Sequence, residues 1–302
     1  VGTVTYGTAA GPGGPRPIAG NFTNVRTGTR SLSGYGQATL DVTPQLHLTG
    51  GLRYTTEKRT SEANTYRVDA AGTTTPVLTG IDRSLRFEKL TWRFSASYDV
   101  SDDAMIYTSY NRGFKSGGYN VQVVTLPPFE PETLDAYEVG AKTQFFDRRL
   151  TLNGSLYYYD YKNVQVARSV NGLVGTYNAD GETIYGGELE VAARLTDRFT
   201  ISGGYAYIHA RYNAFPGAQV GTPRPGGGYT VALGDATGNT VQLTPTHSIS
   251  LVGDYTTPLA SGELKLTANY TFNSRYFQEP DNQARQPAYS LVGASAKWTS
   301  ES

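Results

Sequence analysis

Hydrophobic and polar positions alternate with a period of two along most of this chain, and the 3.6-residue period of an amphipathic helix is nearly absent. From Lys89 to Val100 the even positions Leu90, Trp92, Phe94, Ala96 and Tyr98 are apolar. Their neighbours Lys89, Thr91, Arg93, Ser95, Ser97 and Asp99 are polar. Leu46, Leu48, Gly50, Leu52 and Tyr54 alternate in the same way with His47, Thr49, Arg53 and Thr55. So do Leu264, Leu266, Ala268, Tyr270 and Phe272 with Lys265, Thr267, Asn269 and Thr271. Successive side chains of a strand point to opposite faces, so each segment is two-faced.

The same test predicts eleven strands, near 31–41, 45–56, 86–99, 104–116, 133–146, 149–166, 182–195, 198–212, 242–256, 262–275 and 287–299. Many exceed ten residues, against about 5–6 for soluble sheets and about 9–11 for a tilted strand that crosses a bilayer. Their connections alternate in length. Val42–Pro44, Val100–Asp103, Asp147–Arg148, Thr196–Asp197 and Thr257–Ser261 are short, whereas 57–85, 117–132, 167–181, 213–241 and 276–286 are long. In an up-and-down antiparallel sheet, alternate connections emerge on opposite sides. Outer-membrane barrels show this asymmetry, with short periplasmic turns and long extracellular loops.

A soluble β-sandwich or propeller would also alternate. Strand length argues against it, as does the closing of the apolar face by tyrosine at Tyr54, Tyr98, Tyr110, Tyr158 and Tyr270. The chain of 302 residues holds 23 tyrosines, and an amphipathic ring suits a water–apolar boundary. The fold class is therefore all-β, an antiparallel transmembrane barrel whose lipid face includes Leu90, Phe94, Leu264 and Leu266.

Lys+Arg and Asp+Glu both number 26, so no basic excess points to nucleic acid. The lack of cysteine removes disulfides and thiolate chemistry. His47, His209 and His247 are too scattered for a zinc site, and His47 reads as a solvated lumen residue. There is no nucleophile elbow, P-loop or HExxH motif, so no enzyme activity and no cofactor are expected. Asn21 and Asn153 open glycosylation-type tripeptides, but one falls in a lumen-facing strand and both are discounted.

Five blocks in order carry a family resemblance: YTSYNRGFKSGGYN at 107–120, FEPETLDAYEVGAKTQFF at 129–146, RLTLNGSLYYYDYKNVQV at 149–166, YGGELEVAARLTDRFTISGGYAYIHARY at 185–212 and LTPTHSISLVGDY at 243–255. Together they resemble the C-terminal part of the TonB-dependent outer-membrane receptors. The resemblance implies a 22-stranded barrel around an N-terminal plug. It also implies a place in the outer membrane of a Gram-negative bacterium and import of a scarce nutrient, most often a ferric siderophore, powered by the TonB complex. The block at 287–300 resembles the family's third strand from the end, so the eleven strands would be its tenth to twentieth. Eleven is odd, whereas bacterial single-chain barrels have even counts, and an open sheet leaves two edges that lipid does not tolerate. Residues 1–302 are thus read as a partial barrel. Residues 1–30 are expected to be extracellular loop with a short strand, and the plug, the TonB-contacting segment and the final strands are expected to lie outside.

Glu138, Lys142, Glu188, Glu190 and Arg194 share the inward parity of their strands. In the resembled family, the glutamate of the Tyr-Glu-Val-Gly strand and the first glutamate of the Gly-x-Glu-Leu-Glu strand contact plug arginines. Here those are Glu138 and Glu188. The family holds substrate with its extracellular loops, which makes Arg112, Lys115 and Tyr119 in one loop, and Arg275, Tyr276 and Phe277 in another, the ligand-contact candidates. The expected partners are outer-membrane lipid, the plug, TonB and a small molecule such as a ferric siderophore. A passive porin or a surface adhesin on similar strands is the alternative.

Overall fold

The structure is a computed structural model that describes residues 2–5, 20–69, 71–170 and 173–300. The strands, in chain order, are β1 (Gly2–Thr5), β2 (Gly20–Asp41), β3 (Leu46–Val68), β4 (Thr74–Ser101), β5 (Ala104–Lys115), β6 (Glu132–Phe145), β7 (Leu150–Val170) and β8 (Leu173–Arg194). They continue with β9 (Phe199–Ala214), β10 (Pro216–Pro223), β11 (Tyr229–Asp235), β12 (His247–Leu259), β13 (Gly262–Asn273), β14 (Tyr276–Phe277), β15 (Arg285–Gln286) and β16 (Tyr289–Ser300). One antiparallel sheet of twelve strands runs in the order β1-β2-β3-β4-β5-β6-β7-β8-β9-β12-β13-β16. The hairpins β10–β11 and β14–β15 form two small sheets of their own.

All eleven expected strands are present. The odd count is not retained, because β1 pairs with β2 through Gly2–Thr5 and makes a twelfth strand. Residues 20–30, expected in a leading loop, belong to β2; the rest of that expectation falls mostly on 6–19, outside the described residues. Three expected loops also prove to be largely strand, 213–241 through the β10–β11 hairpin and two others as continuations of the main sheet. β3 and β4 continue past the membrane as far as Val68 and Thr74, and β7 and β8 as far as Val170 and Leu173. Beyond the lipid both faces of a strand are wet. Over Thr55–Val68 one face carries Thr, Lys, Glu and Asn and the other Thr, Glu, Arg and Ser, and the apolar alternation that betrays a strand is lost.

Paired residues of an antiparallel ladder share a face, so the register assigns every side. Leu48 pairs with Ala96, Gly50 with Phe94, Leu52 with Trp92 and Tyr54 with Leu90. Phe94 pairs in turn with Tyr110, Tyr110 with Tyr137, Tyr137 with Tyr158 and Tyr158 with Tyr185. This face is apolar and outward, and Leu52, Leu90, Phe94, Val139, Leu156 and Leu266 stay exposed on it. Tyr54, Tyr110, Tyr137, Tyr158, Tyr185, Tyr205 and Tyr207 form an aromatic row towards one rim, with Tyr110 and Tyr137 stacked at 4.6 Å. Tyr98, Phe145, Phe199, Tyr255 and Trp298 lie towards the other. Two aromatic girdles bound the apolar band of a membrane barrel.

The short turns are tightly made. Arg149 N–H donates to Phe146 C=O at 3.0 Å, and Asp147 and Arg148 hold φ of 52° and 64°. Positive φ at both central residues is what a type I′ hairpin needs to match strand twist.

Among the described residues no large side chain is fully buried, as befits a wall between lipid and lumen. The one buried cluster lies beyond the extracellular rim, where Ala179, Tyr212, Phe215, Ala218 and Ala236 pack together with Val166 and Val241. Arg168 ties β7 to the β10–β11 hairpin: its Nη1 donates to Gly217 C=O at 2.7 Å and its guanidinium lies 3.7 Å from the Tyr177 ring centroid. Ser169 N–H and Gln219 Oε1, and Gln219 Nε2 and Ser169 C=O, form a reciprocal pair at 3.1 and 2.7 Å.

The face assignment predicts unequal costs for two adjacent changes. Phe94→Arg puts a cation in hydrocarbon and should cost about 2–4 kcal/mol, whereas Arg93→Ser, facing the lumen, should cost much less. Reversible unfolding from lipid measures both, and equal costs would refute the assignment. Orientation has a separate check. In the full-length protein on intact cells, Thr74→Cys should react with an impermeant maleimide and Asp102→Cys should not.

Candidate functional site

The inward face carries its densest chemistry where β5 to β8 cross the middle of the wall. Three cross-strand rows follow from the register: Ser109–Glu138–Tyr157–Gly186, then Tyr107–Gly140–Ser155–Glu188, then Met105–Lys142–Asn153–Glu190. Three carboxylates and one ammonium thus share a patch three rows deep.

Glycine shapes that patch. A Cβ on Gly140 would meet the Tyr107 hydroxyl at 2.7 Å, and one on Gly186 would meet the Tyr157 hydroxyl at 2.6 Å. Without those carbons the two rings lie down across the neighbouring strands. Tyr107 then donates its hydroxyl to Glu138 Oε1 at 2.5 Å, a charge-assisted bond that fixes the half-buried carboxylate. Lys142 Nζ sits 5.9 Å from the Tyr107 ring centroid, and Tyr157 stacks on Tyr159 at 4.8 Å. A cavity of about 220 Å³ opens among Tyr107, Glu138, Asn153, Tyr157, Tyr159 and Glu188. Among the described residues no ion pair engages Glu138, Glu188 or Glu190, and the latter two are exposed. The patch thus holds carboxylates that are fixed in place and open to the lumen.

The rim candidates separate. Arg112 is not on a loop but in β5, on the outward face. Its guanidinium forks onto Asp135, with Nε to Oδ1 at 2.6 Å and Nη2 to Oδ2, and lies 4.3 Å from the Trp92 ring centroid. Tyr110 also donates to Asp135, at 3.0 Å. This pairing takes Arg112 away from the mouth of the lumen. Lys115 faces inward, 3.5 Å from Glu132 Oε1. Tyr119 is in the connection after β5, where burial raises its hydroxyl pKa. Tyr276 and Phe277 form β14, and Arg275 beside them is exposed.

Sequence reasoning missed Glu182. It has the inward parity of Glu188, opposite Tyr161 on β7 and Tyr212 on β9, and is 8% exposed. It lies three residues past Tyr185, outside the membrane. Burial first, and the charge of Glu132 second, push its pKa up to about 7. Its parity was visible in the sequence, but its burial depends on the loop cluster above it.

His47 is more engaged than the solvated lumen residue expected. His47 Nδ1 lies 2.6 Å from Asp41 Oδ1 and Nε2 lies 3.1 Å from Asp99 Oδ2. A neutral ring has one N–H and can serve one carboxylate, so the charged ring satisfies both, and His47 clasps β2, β3 and β4 at the periplasmic rim. His209 and His247 face outward within the aromatic row. His209 stacks on Tyr185 at 4.6 Å, and His247 Nδ1 lies 2.8 Å from the Tyr205 hydroxyl.

A family model for the β-barrel of TonB-dependent receptor-like proteins matches residues 2–301. The chain belongs to that family. Its barrel is accordingly an outer-membrane barrel of the Gram-negative type. Over 223 residues it is 30% identical to the probable TonB-dependent receptor BfrD of Bordetella pertussis, covering 70% of this chain and 28% of that one. The catecholate siderophore receptor Fiu of Escherichia coli K12 is 24% identical over 298 residues, covering 92% and 36%. The crystal structure of the ferric yersiniabactin uptake receptor FyuA of Yersinia pestis superposes with a TM-score of 0.75 at 20% identity, covering 93% and 40%. The 302 residues thus span roughly a third of these relatives' length.

Glu182 makes pH a probe of the rim. Its folded pKa of about 7 lies above its ordinary value of 4.5, so between those pH values the folded state binds more protons than the unfolded one. Stability must then fall as pH rises through this window. Glu182→Gln should abolish that fall, read as the pH dependence of amide exchange in the β8–β9 extension. An unchanged pH profile would show that Glu182 titrates normally.

Proposed function

We propose that this barrel belongs to an active importer of a ferric siderophore, in which Glu138 and Glu188 hold a plug domain by pairing with its arginines. The observation that carries the reading is that Glu138 and Glu188, on the lumen face, engage no ion pair among the described residues, while the outward-facing Arg112 and Asp135 neutralise each other. A carboxylate and a guanidinium make a strong, oriented pair where water is thin. Such a pair seals the pore at rest and can be pulled apart by force transmitted through TonB. The similarity to Fiu, a catecholate siderophore receptor, and to FyuA, a ferric yersiniabactin uptake receptor, supports the substrate class. Lys115, Tyr119, Arg275, Tyr276 and Phe277 are the rim residues proposed to meet the ligand, since cations and phenolic rings suit chelated anions.

Breaking a buried pair costs about 3–5 kcal/mol, and the wetter plug boundary should cost less. In the full-length protein, Glu138→Gln with Glu188→Gln should keep heat-resistant migration on gels. It should also admit large antibiotics and lower ferric siderophore uptake. A double variant with normal uptake and a sealed pore would return both residues to plain lumen polarity. Uptake that persists without TonB would favour the passive porin.

A further inference from the structure

The rows that cross the lumenal patch do not end at β8. Tyr107–Gly140–Ser155–Glu188 runs on through Ala206, Ser248, Asn273 and Tyr289. Met105–Lys142–Asn153–Glu190 runs on through Gly204, Ser250, Thr271 and Leu291. Up to β8 these two rows hold Lys142, Glu188 and Glu190. From β9 to β16 they hold no charged side chain. The register runs through this boundary without a shift, so the change lies around the circumference of the wall and not in its depth.

Polar groups on the uncharged side are spent on one another. Ser248 Oγ donates to Asn273 Oδ1 at 2.7 Å, and Asn273 Nδ2 donates to the Tyr289 hydroxyl at 3.0 Å. Two rows nearer the periplasm than Ser250, Asp254 accepts from the Thr267 hydroxyl at 2.5 Å and lies 3.2 Å from Lys265 Nζ. A domain facing this side meets no unmet carboxylate. On β6–β8 it meets Glu138, Glu188 and Glu190, which engage no ion pair among the described residues.

Charge-assisted hydrogen bonds are roughly twice as strong as neutral ones. A plug gripped through Glu138 and Glu188 is therefore held more firmly on β5–β8 than on β9–β16. Force applied to a body held so unevenly parts the weaker seam first. Passage also needs binding weak enough to release what has entered, and an uncharged wall does not hold a chelated anion. We propose that the passage for the imported complex opens along β9, β12, β13 and β16, between this uncharged wall and the plug. The passage rests on the importer reading, and it gives the plug a hinge side at Glu138 and Glu188 and a yielding side opposite Ser250 and Thr271.

The test places the full-length receptor in planar bilayers bathed in potassium chloride and adds urea in steps to loosen the plug, so that no knowledge of the natural ligand is needed. The 302 residues hold no cysteine, so Ser250→Cys, Thr271→Cys and Ser95→Cys each add a single thiol to the wall. Ser95 faces the lumen from β4, in the row of Ser109. All three variants should keep heat-resistant migration and stay closed without urea. A bulky uncharged maleimide should then remove most of the urea-induced current from Ser250→Cys and from Thr271→Cys. The same reagent should leave the current of Ser95→Cys equal to that of the unaltered receptor treated alike. Equal block at all three sites, block confined to Ser95→Cys, or no block at any of them overturns the passage while leaving the plug in place. An unaltered receptor that conducts fully before urea has no seal, and the importer reading then falls together with the passage.

Discussion

A peptide group in hydrocarbon has no water to bond, and each one left unpaired costs several kcal/mol. The rest of this molecule follows from that requirement. Long antiparallel ladders satisfy the backbone across the membrane, and once the ladder is set, the parity of each residue decides whether it meets lipid or lumen. The paired rows Gly50–Phe94–Tyr110 and Ser109–Glu138–Tyr157 run side by side on the same strands. One is apolar and aromatic, the other polar and charged, and one peptide group separates their worlds.

Both faces match charge within the wall, and the central inward patch departs from that. Outward charges near the rim are mostly matched within the wall, as in the fork of Arg112 on Asp135 beneath Tyr110 and over Trp92. The inward carboxylates of the central patch, Glu138, Glu188 and Glu190, engage no ion pair among the described residues, whereas Asp99, Glu132 and Asp254 on the same face are paired. Tyr107 orients Glu138 through a neutral hydroxyl, made possible by the missing side chain at Gly140. A wall built to receive another domain would carry its unmet charges on the side from which that domain comes.

The membrane-crossing strands were legible because lipid and lumen differ so sharply that alternation is written into every second residue. Leu46 to Tyr54 and Leu90 to Tyr98 needed no other signal. Legibility ended where the solvent became the same on both sides. The extensions at 57–68 and 74–85 are as regular as the spans below them, yet Glu57, Lys58, Arg59 and Thr60 show no preferred face. Inward parity made Glu138 and Glu188 visible. It could not show that Tyr107 folds over Gly140, since that depends on a neighbour thirty-odd residues away. Arg112 was misplaced for a related reason. A charged residue near a strand end looks like loop until the partner that neutralises it, Asp135, is known to stand opposite. His47 looked solvated because its two carboxylates come from different strands, one six residues before it and the other fifty-two after.

For the proposed importer, the packing beyond the extracellular rim bears on how a ligand would be met. Phe215, Ala218 and Ala236 of the β9–β11 region are buried against Ala179 and Tyr212, and Arg168 and Gln219 bind the same pieces by their backbones. These segments are therefore preorganised. A molecule landing on them loses its own freedom but does not have to freeze the protein's, and ordering of rotamer-rich side chains is a principal cost of association. Selectivity at such a mouth would then reside in the shape of a standing surface. Changes of cargo between relatives would come from re-carving that surface, with the ladder beneath it left as it is.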